Sequence, residues 1–216
     1  MVEPTILLLG FEPFAGERVN PSAEVARLLH GERIGDGRIV AAILPVVFSS
    51  ATAQLEALLE THRPDLVIAL GQAGGRAAIS LERVAVNLID ARIPDNDGSQ
   101  PIDAPVIAGA PVAYFSTLPV KAICAHLDTL GIPAALSHSA GSFVCNQVFY
   151  ALAHWSVTRS PQIRGGFIHL PWLPEQAADH GEPGMALETM IAGIRASIEC
   201  VLTTPAELHV PGGLTH

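Results

Sequence analysis

Cys145 sits where a thiol could do chemistry. It follows the run Ser139-Ala140-Gly141-Ser142-Phe143-Val144, and an apolar periodic segment with Val148, Phe149, Leu152 and Trp155 comes after it. A small-residue turn running into a helical pattern places the sulfur in a first turn, where unpaired backbone N–H groups favour a thiolate. That placement is weak on its own: about 1 kcal/mol to an anion, enough to move a thiol from about 8.5 to about 7.5–8. A nucleophile mostly ionised at neutral pH therefore needs an imidazolium as well. His169 is the imidazole in the right kind of place. It follows the strand-like Gly166-Phe167-Ile168 and precedes Leu170-Pro171-Trp172-Leu173-Pro174, which cannot continue a central strand. Strand ends are where sites assemble in α/β folds. Each residue also has a plainer reading, an inert buried cysteine and a satisfied core histidine.

A base of this kind needs an orienting group on its far nitrogen. Glu82 is the candidate, a carboxylate in the apolar stretch Ile79 to Leu88, against the plainer reading of a solvated edge-strand glutamate. Ile79 and Leu81 alternate, as do Val84, Val86 and Leu88, with a phase slip at Glu82-Arg83 that predicts a bulge. His138 and His154 are alternative imidazoles, ranked lower: one precedes the glycine turn, the other lies well along the helix. No HExxH, GxSxG, GxGxxG or P-loop motif is present. Asp95-Asn96-Asp97-Gly98 has the wrong downstream spacing for a calcium loop and reads as a turn. Gly71 to Arg76 is a glycine-rich turn after a strand, weak evidence for an anion site. Phe11 and Phe14, on a Pro/Gly loop, are either a staple onto the core or an apolar wall for a small, uncharged, flat group.

The elements that must hold these residues alternate along the chain. Strands are expected at Thr5–Gly10, Arg38–Leu44, Leu66–Leu70, Ala134–Leu136 and Gly165–Ile168. Helices are expected after Asn20-Pro21, after Ser49 or Ser50 as cap, around Val120 to Leu127, from Cys145, and around Leu187 to Ile198. This alternation predicts an α/β fold with a largely parallel sheet and helices on both sides. No repeat or domain boundary stands out, so residues 1–216 read as one domain.

Composition narrows the function. The chain has 216 residues, 49% hydrophobic and 15% charged, which implies a large core and a thin polar surface. Oligomerisation is the expected consequence. Aromatics are 5%, so the core should be mainly aliphatic. A net charge of −9 without basic clusters argues against nucleic acid. The longest apolar run, Ile39 to Phe48, is interrupted by Pro45 and too short for a bilayer. With no basic leader or cleavage site after Met1, a cytoplasmic location is expected. Three cysteines without CxxC spacing (Cys124, Cys145, Cys200) exclude a disulfide framework and a Cys-rich zinc site. In the last helix, Ala186, Thr189, Gly193, Ala196 and Cys200 form a face of small residues. That face is either exposed or packed, inside the subunit or against another, where Cys200 could meet its symmetry mate.

Six ordered segments together resemble the pyrrolidone-carboxylate peptidases (pyroglutamyl peptidase I), a family of cysteine peptidases. They are Gly10 to Phe14 with Asn20-Pro21, Gly71 to Arg76, Glu82 to Ala85, Asp90 to Asn96, Ala140 to Asn146, and Gly166 to Gln176. The resemblance implies Cys145 as nucleophile, His169 as base and Glu82 as orienting carboxylate. It implies Phe11, Phe14 and Phe143 around a lactam pocket, Gln72 binding the pyroglutamyl group, and Arg92 near the reacting carbonyl. An α/β/α sandwich, no metal or cofactor, a cytosolic location and a homotetramer come with it. The implied substrates are peptides with N-terminal pyroglutamate. Two rivals stay open: another thiol-dependent amidase or acyl transferase on the same fold, and a non-catalytic lactam binder.

Overall fold

Seven strands form one twisted sheet that helices cover on both faces. The computed structural model describes residues 3–204 and 206–212. In chain order the elements are β1 (Thr5–Phe11), α1 (Pro21–Leu29), β2 (Arg33–Ile34), β3 (Gly37–Leu44) and α2 (Ala51–His62). Next come β4 (Leu66–Gln72), β5 (Ile79–Glu82), β6 (Val84–Val86), β7 (Ala113–Phe115), α3 (Val120–Thr129) and β8 (Ala134–Ser137). The chain closes with α4 (Val144–Thr158), β9 (Arg164–Leu170), α5 (Pro174–His180) and α6 (Leu187–Thr203). The strand order is β2-β3-β1-β4-β9-β5-β8. β3, β1, β4 and β9 run parallel, and β5 with its parallel partner β8 lies antiparallel to β9. The α/β architecture read from the alternation is the one observed.

The central strands are apolar throughout because both of their faces are covered. On one side α1, α3 and α6 pack Val25, Leu29, Ile123, Leu127, Ile194 and Ile198 against Ile6, Leu8 and Ile68. On the other, α2 and α4 pack Leu55, Leu59, Val148 and Phe149 against Leu7, Leu9, Val67 and Phe167. Asn20 caps α1 by accepting the Ser22 N–H at 3.1 Å, with Pro21 as the first helical residue. Ser50 holds the cap position of α2, but its side chain makes no capping bond.

One expectation is corrected, and one open alternative is decided. The phase slip at Glu82-Arg83 is not a bulge within one strand. β5 stays in the main sheet, while β6 pairs with β7 in a separate two-stranded ribbon. Arg83 makes the handover, donating its N–H to Ser137 O (2.8 Å) and accepting from Ser116 N (2.9 Å). The small face of α6 is largely internal. Gly193 lies so close to Ile79 that a Cβ there would come within 2.4 Å of its Cδ1. Ala196 is buried and Cys200 is only 7% exposed, among aliphatic residues of the same subunit. α3 packs against this helix, and Ile79 of β5 fills the space that Gly193 leaves.

Candidate active site

The ends of β4, β9 and β5 come together at one edge of the sheet. His169 lies opposite Gly71 of β4, and Glu82 lies opposite Phe167 of β9. Phe167 and His169 are two residues apart and share a face, so Glu82 reaches the imidazole diagonally across the strands. Gly71 makes room for both rings. A Cβ there would come within 2.8 Å of Phe167 and 2.9 Å of His169.

Glu82 is fully buried, and His169 nearly so. Glu82 Oε1 accepts from His169 Nδ1 at 2.8 Å and from Arg76 Nη1 at 2.8 Å. With a carboxylate on Nδ1, that nitrogen carries the proton, which leaves Nε2 as the basic one. Burial pulls the Glu82 carboxyl upward. The imidazole, with smaller contributions from the Ser137 hydroxyl and Arg76, nevertheless holds it below its usual range.

Cys145 is the second residue of α4, as the sequence pattern predicts. The apolar Phe143 occupies the cap position and supplies no capping bond, so the first-turn N–H groups of Val144, Cys145 and Asn146 are not spent on a side-chain cap. Asn146 ties the helix down. Its amide donates to Val86 O (2.9 Å) and Leu88 O (3.0 Å) and accepts from Val86 N (3.0 Å). The Ser142 hydroxyl donates to Asp90 O at 2.7 Å, and the Asp90 N–H donates to Ser142 O at 3.0 Å, joining two loops of the site.

The thiol does not behave as its helix position suggests. Burial, followed by the negative charge of Glu82, pushes it up to about 12, with Arg76 pulling the other way. The helix end, worth about 1 kcal/mol, is outweighed.

Cys145 and His169 line one cleft of about 390 Å³ together with Phe14, Gln72, Arg92 and Phe143. Phe143 packs edge-on to Phe48 (centroids 5.1 Å apart) and lies 6.1 Å from Phe14. Arg92 is exposed on the cleft wall. Phe11 departs from the expected arrangement. It is 1% exposed and does not line the cleft, lying 6.1 Å from Phe167, whose ring is 4.7 Å from His169. It is the last residue of β1 and points into the core rather than off the loop. The alternative imidazoles lie elsewhere: His138 Nε2 is 3.2 Å from Arg83, and His154 Nδ1 is 2.8 Å from the Tyr114 hydroxyl. Among the described residues, no group of three or more His, Cys, Asp or Glu side chains could hold a metal ion.

A family profile described as "Pyroglutamyl peptidase" matches residues 4–204. The chain belongs to the pyroglutamyl peptidase family. It is 54% identical to the pyrrolidone-carboxylate peptidase of Cupriavidus taiwanensis, over 99% of this chain and 100% of that one. Identity to the Bacillus cytotoxicus pyrrolidone-carboxylate peptidase is 50%, over 98% of this chain and 99% of that one. The crystal structure of pyroglutamyl peptidase I from Bacillus amyloliquefaciens superposes with a TM-score of 0.95 at 41% identity, covering 97% of this chain and 100% of that one. A variant pyrrolidone carboxyl peptidase from Pyrococcus furiosus gives 0.90 at 47%, covering 92% and 98%. The protein is thus a peptidase by family. No helix among its described residues is long and apolar enough to cross a membrane.

Three residues of the site escaped the sequence reading. Arg76 ends the glycine loop and was visible only as part of that turn. Asn146, next to Cys145, is one of two adjacent buried amides, with Gln147, at the start of a largely apolar helix. Gln176 follows the proline pair after β9, and its Nε2 bonds Gln72 Oε1 at 3.1 Å.

Proposed function

We propose that the chain is a cysteine peptidase that removes N-terminal pyroglutamate from peptides and proteins through an acyl-enzyme on Cys145. One observation carries this reading: Cys145 and His169 share a cleft while a buried Glu82 holds the far nitrogen of the imidazole. A pyroglutamyl end group has no ammonium, and the cleft answers that chemistry with Phe14, Phe143 and Ile93 beside Gln72. Phe11 contributes from behind, through Phe167.

In the first step the sulfur attacks the carbonyl carbon that follows the lactam ring, and its proton passes to His169 Nε2. Glu82 stabilises the resulting imidazolium. First-turn N–H groups of α4 receive the oxyanion, and Arg92 adds positive charge nearby. His169 then protonates the departing amine, the C–N bond breaks and a thioester remains. Water attacks the thioester and gives a proton to His169, which returns it to sulfur as pyroglutamate leaves. Side chains of the chain carry every step, without a cofactor. A high resting thiol fits this scheme, because the proton moves to imidazole as attack proceeds. The same proposal includes a cytosolic homotetramer. Exposed Val112 and Phe115 supply apolar surface for subunit contact.

The test is a pyroglutamyl chromogenic substrate against wild type, Cys145→Ser and His169→Ala, with a prolyl substrate as control. Both variants should be inactive and the prolyl substrate should resist wild type. Hydrolysis surviving in Cys145→Ser would end the mechanism, and lactam binding by wild type without turnover would favour a binder. Light scattering should give four times the mass of one chain.

A further inference from the structure

Arg76 ends the glycine loop after β4 and lines the cleft with Cys145 and His169. Its side chain is 35% exposed, while the Glu82 side chain that it meets is fully buried. The contact falls on one particular oxygen. Glu82 Oε1 accepts from Arg76 Nη1 and from His169 Nδ1, each at 2.8 Å, whereas Oε2 is buried with no hydrogen-bond partner among the described residues. Ser137, opposite Glu82 on β8, donates its hydroxyl to Ser139 O at 3.2 Å. A guanidinium serving only to anchor Glu82 has a free oxygen to take. By sharing Oε1 instead, Arg76 places its charge within two hydrogen-bond lengths of the imidazole. Its Nη2 lies 3.4 Å from Ser139 O, in the turn that leads to Cys145. A guanidinium keeps its proton throughout the working range of a protein, so this is a fixed positive charge. Such a charge opposes protonation of a base beside it and favours ionisation of an acid. Burial and the charge of Glu82 push the Cys145 thiol up, and Arg76 draws it back. The other charged groups about the cleft are Asp90 and Arg92, on the loop after β6, and His138 in the neighbouring groove, whose Nε2 lies 3.2 Å from Arg83. Among the described residues none of these bonds to Glu82 or His169.

We propose that Arg76 is a positioning residue of the reaction: by taking the same Glu82 oxygen as His169, it offsets the carboxylate's hold on an imidazolium and sets the pH range in which the Cys145–His169 pair works. This rests on the proposed function and deepens it. Without the guanidinium, a buried carboxylate faces the imidazole alone and favours its charged form, which cannot take the thiol's proton. With it, the neutral form that accepts the proton is favoured. The same charge eases the build-up of negative charge on sulfur as attack proceeds. Arg76 thus acts on both partners in one direction, toward loss of a proton.

The test is the pH dependence of kcat/KM for a pyroglutamyl substrate in wild type, Arg76→Gln and Arg76→Lys. Loss of the fixed charge should move the limbs of the profile to higher pH by about 0.5–1 unit, the partial exposure of Arg76 keeping the shift small. The sign is the same whichever group of the coupled pair a limb reports, and limb positions do not depend on how far the plateau falls. Arg76→Lys keeps the charge and should stay within about 0.3 unit of wild type. If Arg76 served only to hold Glu82 in place, its loss would free the carboxylate from the imidazole and move the acid limb to lower pH. That result, unmoved limbs, or a lysine variant that shifts as far as the glutamine one would overturn the proposal. Arg76→Met repeats the measurement without a hydrogen-bonding group and should match Arg76→Gln; a shift in only one of the two would also overturn it. Iodoacetamide gives a readout that needs no turnover. The midpoint of Cys145 alkylation against pH should rise by the same amount in Arg76→Gln, with Cys124 in the same samples unmoved. If alkylation shifts in this way but wild type hydrolyses no pyroglutamyl substrate, the catalytic reading fails and the Arg76 assignment stands.

Discussion

The two sides of the sheet are built from different materials. The side under α1, α3 and α6 is aliphatic, with no aromatic ring in its core cluster among the described residues. The side under α2 and α4 holds Phe11, Phe48, Phe149, Tyr150, Trp155 and Phe167, with Phe14, Phe143 and Cys145 packed against it. Cleft and rings share that second side. Branched aliphatic chains fill an interior by interlocking, whereas rings present flat, stiff walls that can continue from core to cleft. The chain Phe11–Phe167–His169 is such a continuation. An overall aromatic content of 5% predicted an aliphatic core, and that holds for one layer only.

The sharpest contrast between the layers should come from Cys145→Ser. We expect kcat to fall by on the order of 10⁴–10⁶-fold with no loss of thermal stability, read from pyroglutamyl hydrolysis and melting. Glu82→Gln should follow, costing on the order of 10²–10⁴-fold in kcat as the imidazolium loses its counter-charge. Hydrolysis close to wild type there would mean that Arg76, not His169, is the partner that matters to Glu82.

Phe167→Ala against Ile194→Ala tests the division directly. Phe167→Ala should cost about 3–5 kcal/mol and Ile194→Ala about 2–5 kcal/mol in denaturant unfolding. Only the first should also reduce kcat/KM, because it removes the ring beside His169. Equal activity in the two variants would break the comparison.

The smallest effect concerns acid. The Glu82 carboxyl is depressed in the folded state, so its stabilisation is present above the ordinary carboxylate range and is lost as pH falls through the lowered value. Unfolding measured between pH 7 and pH 3 should therefore decline less steeply in Glu82→Gln than in wild type.

Much of this was legible beforehand. The helix position of Cys145 and the histidine at a strand's end follow from local pattern: turn, periodicity and a proline pair. The fold follows from alternation. Three things did not. The thiol's upward shift depends on burial and on a carboxylate 63 residues away in sequence, and neither leaves a local trace. The handover at Arg83 mimics a bulge because both reverse the face on which apolar residues fall. Arg76 and Gln176 act through bonds to other side chains, and such partners become visible only when strands are placed side by side.

Asn146 carries a last consequence. Its amide, immediately after Cys145, is spent on both backbone groups of Val86 and on the carbonyl of Leu88. Replacing its nitrogen with oxygen, as Asn146→Asp does, would keep the side chain's size but aim a negative charge at two carbonyls. A clamp would become a wedge, and the helix bearing the sulfur would be pried from the ribbon that aligns it. Exchanging that one atom should thus silence hydrolysis while Cys145, His169 and Glu82 all remain in the chain, a loss that a pyroglutamyl substrate would reveal.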